Sequence, residues 1–226
     1  MRKKLLLFLF LFTIQFLLGQ VTLDAPFEQK SIHNSTYIFN AEQNILSLNE
    51  VIKLPKDQFE KLQNENQDLG FTNNHYWLQF TLKNTTEKTL SYYLETARPI
   101  IDYAELYALD SNKLVNFQKS GDAIPFSERS LQYRKTIFRI QLKPKQQLTY
   151  YLHLKSDGEV INVPVILRSD INLIKNTSFE QIVFGIFYGI LLFTAILYFF
   201  FYFTMHEKVF LYYSLYVVFI GLLQFS

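Results

Sequence analysis

Between Glu180 and His206 the chain carries no charged residue, and this stretch constrains the fold more than any other feature. A bilayer's hydrocarbon core of about 30 Å needs roughly 20 helical residues to cross. The apolar run over residues 182–203 meets that length, so a transmembrane helix is predicted over residues 180–204. Gly185 and Gly189 lie four apart on one face of such a helix, a spacing that lets helices approach closely in lipid. Tyr188, Tyr198 and Tyr202 are scattered through the span, and those nearer an end suit the headgroup level. The competing reading of such runs is a helical hairpin buried in a soluble protein.

A short polar break, His206-Glu207-Lys208, precedes a second uncharged run over residues 209–226, where the sequence stops. That run is expected to be a truncated second transmembrane helix, in a fragment of a longer polytopic protein. At the other end, Arg2, Lys3 and Lys4 precede apolar residues 5–12 and 14–18, then Gly19 and polar Gln20. Positive start, apolar core and small residue follow the order of a secretory signal peptide, expected over residues 1–19. An uncleaved anchor helix is the alternative, and either one exports the middle of the chain. The turn at 206–208 then faces the cytoplasm, with orientation resting on the leader because the turn holds only one Lys.

The 226 residues include no cysteine, which removes disulfides, cysteine-ligated zinc and thiol nucleophiles together. Exported animal domains of this size usually carry disulfides, so a bacterial periplasm suits the chain better. The expected location is therefore the bacterial inner membrane, with the N-terminal domain in the periplasm. A net charge of +2, with no basic cluster beyond the N-terminus, argues against a nucleic-acid partner.

The middle, residues 20–175, shows period-two alternation. Tyr76, Leu78, Phe80 and Leu82 point one way while Trp77, Gln79, Thr81 and Lys83 point the other. The pattern recurs over residues 90–94, 136–142, 148–154 and 161–167, between turn-type groups such as Asn84-Thr85-Thr86 and Ser156-Asp157-Gly158. Such alternation marks strands with one buried and one wet face. Several short strands with turns between them predict a mainly β, antiparallel sandwich followed by membrane helices. The best helix candidate in this domain lies near residues 56–64, after Pro55 and with Asp57 as cap.

The strand Tyr76-Trp77-Leu78-Gln79-Phe80 leads to Asn84, then to residues 98–107. Gly121-Asp122, Pro125-Phe126 and Arg129 follow. With Gly185-x-x-x-Gly189 and Tyr212-Tyr213-x-x-Tyr216 after them, these residues resemble a known family. It is that of bacterial seven-transmembrane receptors with diverse intracellular signalling modules, and the likeness runs over residues 47–226. The resemblance implies a jelly-roll-like sandwich related in fold to carbohydrate-binding modules. It also implies five further helices and a cytoplasmic output module such as a histidine kinase or a diguanylate cyclase. None of that signalling chemistry falls on a residue of this chain.

Trp77 is the only tryptophan. On an exposed strand face its ring would stack against a sugar, with Tyr93 and Tyr151 at comparable positions. The opposing reading is that a flanking segment, such as residues 45–54, covers that face. Arg98, Asp102, Asp122 and Arg129 fall in or near loops, where a rigid sandwich usually carries recognition. Arg129 with Asp122 would hold a polar ligand or an anion by paired hydrogen bonds; the opposing reading is an ion pair pinning residues 121–129.

No catalytic residue is expected. Asp102, Glu105 and Asp122 supply carboxylates, but spacing along the chain shows no glycosidase pair. His33, His75, His153 and His206 stand singly, so neither a metal site nor a cofactor is expected. The reading at this point is the sensor portion of a membrane receptor. Its partners would be the membrane and a small ligand or carbohydrate, and a homodimer or partner protein is compatible with it. The alternative is a membrane-tethered carbohydrate-binding or adhesion module without signalling.

Overall fold

In the computed structural model, which describes residues 19–96 and 101–225, the alternating runs become antiparallel sheet. The strands are β1 (Gln20–Leu23), β2 (Gln29–Ser31), β3 (Tyr37–Asn40), β4 (Glu60–Lys61), β5 (Asn66–Phe71), β6 (His75–Asn84) and β7 (Leu90–Glu95). After them come β8 (Tyr103–Asp110), β9 (Lys113–Ser120), β10 (Ile137–Leu142), β11 (Gln147–Lys155), β12 (Val160–Pro164) and β13 (Ile166–Arg168). One sheet runs β4-β3-β6-β11-β8-β9, with β1 parallel against the end of β6. The second runs β10-β7-β13-β2, and β12 with β5 forms a small third sheet. Residues 1–18 of the expected signal peptide lie outside the described residues.

The core lies between the two main sheets. Tyr76, Leu78, Phe80 and Leu82 of β6 and Leu148, Tyr150, Leu152 and Leu154 of β11 face it from one side. Leu90, Tyr92 and Leu94 of β7 and Phe138, Ile140 and Leu142 of β10 face it from the other. Burial of apolar surface at about 25 cal/mol per Å² makes this two-layer arrangement the stable one for half-apolar strands. Asn84 is fully buried, and its amide nitrogen donates to the carbonyls of Lys88, Leu142 and Lys143 at 2.7–3.2 Å. This one side chain joins the β6–β7 turn to the β10–β11 turn.

Two local expectations change. The helix near residues 56–64 is a single 3-10 turn, Lys56–Gln58, and Phe59 after it is extended. Phe59 and Leu62 are instead buried as the chain passes into and beyond β4. The helix of this region is α1 (Leu48–Val51), started by a capping box in which the Glu50 carboxylate accepts from the Ser47 amide at 2.7 Å. The run over residues 161–167 is divided: β12 pairs with β5, whereas β13 pairs with β7 and β2. Pro164, which has no N–H for a ladder, stands at the change of sheet.

The second compact unit holds the membrane helices. Helix α2 (Asp170–Met205) is 36 residues, long and apolar enough to cross a membrane, and α3 (Lys208–Phe225) is a shorter apolar helix of 18. At 1.5 Å per residue α3 reaches about 27 Å, just under one hydrocarbon thickness. The two helices meet through Ser214, whose hydroxyl donates to the Ala195 carbonyl at 2.8 Å, and through Tyr198 and Tyr213, with ring centroids 4.3 Å apart. Gly185 and Gly189 are not the contact: a Cβ at either would meet nothing within 4 Å, whereas Gly221 faces Leu191.

Candidate functional site

The side chains that leave the core alternate onto the outer face of the β6-β11-β8-β9 sheet, and there they form a row of rings. His75 lies parallel to His153 at 5.1 Å, His153 to Trp77 at 4.6 Å, and Trp77 to Tyr107 at 5.9 Å. Tyr107 meets Phe117 at 4.9 Å, and Phe117 is 44% exposed. Each ring comes from a register position that the antiparallel ladder sets side by side: His153 opposite Trp77 and Glu105, Tyr107 opposite Phe117.

Trp77 itself is 2% exposed. Val51, Ala41 and Phe59 are buried with it, and Leu46, Leu48, Ile52 and Leu54 pack against that cluster. Residues 45–54 therefore cover the ring, and it offers no open platform to a ligand; Tyr151, 6% exposed, lies in the same cluster. The indole nitrogen of Trp77 is buried without a hydrogen-bond partner among the described residues. Such a group ordinarily costs about 1–3 kcal/mol, offset here by the stacking and apolar burial of the large ring.

Beside the covered tryptophan runs a polar chain. His75 Nδ1 lies 2.9 Å from His153 Nε2, and His153 Nδ1 lies 3.2 Å from Glu105 Oε2. The Tyr107 hydroxyl donates to that same oxygen at 2.9 Å. Hydrogen bonds from His153 and then Tyr107 hold the Glu105 carboxyl below its ordinary value against the opposing effect of burial. Burial, and after it the neighbouring His153, lowers His75. Burial, with the Glu105 charge added, raises Tyr107. The chain can hold a proton and an anionic oxygen next to an apolar ring, and its open end is Glu105, Tyr107, Phe117 and Lys119.

The loop candidates are structural in geometry. Asp102 Oδ2 accepts from the Asp157 amide at 2.6 Å and the Ser156 hydroxyl at 3.3 Å, closing the β11–β12 turn. Arg129 Nη2 stands 3.6 Å from Asp122 Oδ1, Arg129 Nε donates to the Ile124 carbonyl at 3.1 Å, and the guanidinium lies over Phe126. The ion pair thus pins residues 121–129, and of these side chains Asp122 is the open one, 68% exposed. Arg98 lies outside the described residues. The ring row brings together none of Asp102, Asp122 and Arg129. Alternation places His75, His153, Glu105 and Tyr107 on outward positions, but strand pairing is what sets them together. Among the described residues no group of three or more acidic, His or Cys side chains is arranged to hold a metal.

No curated protein matches the chain. Among solved structures it is similar to a GH31 α-xylosidase from Xanthomonas citri at 18% identity, covering 60% of this chain and 13% of that one, TM-score 0.27. A β-glucosidase from Kluyveromyces marxianus in complex with glucose gives 11%, 59%, 15% and 0.35 in the same order. A family 35 carbohydrate binding module from Clostridium thermocellum gives 8%, 59%, 90% and 0.27. Scores at this level carry no argument about fold or ligand, and the chain spans only a small part of either enzyme. Family models are decisive: 7TMR-DISM extracellular 2 matches residues 27–169, and 7TM diverse intracellular signalling matches residues 180–226. The chain therefore belongs to the 7TMR-DISM receptors, as a membrane protein with an extracellular β domain of sensor type.

Proposed function

We propose that the sandwich binds a small ligand of carbohydrate type in the bacterial periplasm and passes the event through α2 to a cytoplasmic output module. The observation that carries this reading is direct chain continuity. The extracellular family match ends at residue 169, one past β13, and helix α2, which begins at Asp170, carries the match to the signalling family from residue 180. Support for the ligand class comes from the open end of the ring row. Phe117 presents a partly exposed flat ring, with Tyr107 tilted beside it and Glu105 and Lys119 in register at its edge. A sugar ring stacks its apolar face on such a surface while its hydroxyls reach carboxylate and ammonium. Trp77 would act from beneath, by holding Tyr107 in place.

The test is a glycan array probed with the full chain in detergent micelles, wild type against Phe117→Ala. The expected result is binding of a defined sugar class by the wild type and its loss in the variant. Equal binding by both removes Phe117 from the site. Binding by neither removes the carbohydrate ligand and leaves membership of the receptor family untouched.

A further inference from the structure

The two histidines at the closed end of the ring row need no ligand to have a function. Their facing nitrogens, His75 Nδ1 and His153 Nε2, are 2.9 Å apart. In the neutral pair His153 donates from Nδ1 to Glu105 and accepts at Nε2 from the Nδ1–H of His75. One added proton is accommodated, because it enters at the far nitrogen of His75 and leaves a single hydrogen between the rings. A second added proton puts an N–H on both facing nitrogens, and the hydrogen bond becomes a repulsion between two cations.

Among the described residues, the groups facing the pair are few. Glu105 and Tyr107 approach from β8, Lys155 and Asp157 from the end of β11, and Lys119 acts on Glu105 from β9. Lys155 and Asp157 are themselves paired at 2.6 Å, so their opposite effects on His75 largely cancel. Glu105 draws the bridging hydrogen of the singly protonated pair onto His153 Nε2, and the second proton therefore enters at the facing Nδ1 of His75. Burial and His153 hold His75 below its ordinary range, which places that proton on the acidic side of neutrality.

His75 is also where the cover over Trp77 is attached. Its backbone N–H donates to the Glu42 carbonyl at 2.7 Å, and its carbonyl accepts from the Ala41 amide at 2.9 Å. From that double link the chain turns through Glu42, at φ 54°, into the segment that lies over Trp77. Movement of the His75 ring thus reaches both neighbours of the indole, the stacked His153 and the covering segment.

We propose that the His75–His153 pair is a proton-operated switch, in which the second proton parts the rings and exposes Trp77 from beneath residues 41–54. The input is acidity outside the membrane, independent of any ligand at Phe117.

Trp77 is the only tryptophan, so indole emission of the full chain in detergent micelles reads this one position. On titration from about pH 8 to about pH 4, emission is expected to fall and shift to the red below about pH 6.5, reversibly and with the β circular dichroism retained. His75→Gln keeps a hydrogen bond to His153 but takes no proton, and it loses the red shift. His153→Phe keeps the stack and loses both changes. A wild-type red shift that is absent, or that persists in either variant, overturns the proposal. Should His153→Phe fail to fold, the red shift in His75→Gln decides alone.

Discussion

Gly121 is the residue that the loop end of the domain can least replace. Its φ is +131°, and a Cβ there would sit 2.2 Å from the Asp102 carbonyl oxygen. The approach is that close because the two loops exchange backbone hydrogen bonds, from the Asp122 amide to the Ile101 carbonyl at 2.7 Å and from the Ala123 amide to the Asp102 carbonyl at 3.2 Å. Gly121→Ala combines backbone strain with a clash against main chain, and should lower stability by about 3 kcal/mol or more in urea unfolding. A loss of about 0.5 kcal/mol or less, the ordinary range for surface changes, would show that the loops part easily. Gly121-Asp122 stands out in the sequence as a loop marker. The reason for the glycine is a contact made across the fold, which adjacent residues cannot show. Trp77 teaches the same lesson: alternation correctly puts it outside the main core, yet its cover comes from α1, about 30 residues earlier.

At the scale of elements, patterns with a period were readable and patterns set by partners were not. The strands β6, β7, β10 and β11 follow directly from alternation. The hairpin of β8 and β9 is joined at Ser111 and Asn112, both at positive φ, 48° and 68°, as a tight hairpin turn requires. The Asp110-Ser111-Asn112 sequence is its local signal, and the Ser47-x-x-Glu50 spacing is the signal for α1. Pro55 with Asp57 was the weaker helix signal, because Phe59 and Leu62 gain more by burial in extended chain.

The short strand β13 owes its place to Arg168. Arg168 Nε donates to Glu95 Oε2, and Nη1 donates to Gln29 Oε1 at 2.6 Å and Asn172 Oδ1 at 2.8 Å. One side chain, 11% exposed, thereby joins β7, β2 and the first turn of α2. Arg168→Met should cost about 3 kcal/mol, since among the described residues it leaves the largely buried Glu95 with Lys135 as its remaining ion-pair partner. Chemical unfolding of the variant chain measures this, and hydrogen exchange in the first turn of α2 should rise with it. Unchanged stability and exchange would mean that backbone pairing alone holds β13.

For the molecule as a whole, the decisive property is α2, whose apolar side chains such as Ile182, Ile190 and Phe193 are about 60% exposed or more. In water such a surface would be untenable, and in hydrocarbon it is the expected one. Ile190→Asp at mid-span should weaken insertion by about 3 kcal/mol, read as a larger fraction of chain released from membranes by alkaline extraction. Retention equal to the wild type would argue that neighbouring helices shield that face.

Membrane attachment, the export of a β domain and its two-faced strands were determined by the sequence alone. Each depends on charge, length or period, which are properties of a chain read locally. Tertiary structure decided that Trp77 is covered, that Asp122 and Arg129 pin a loop, and that His75, His153 and Glu105 stand in one row. Those outcomes depend on which strands pair and in what register, a choice made by the burial of the whole core.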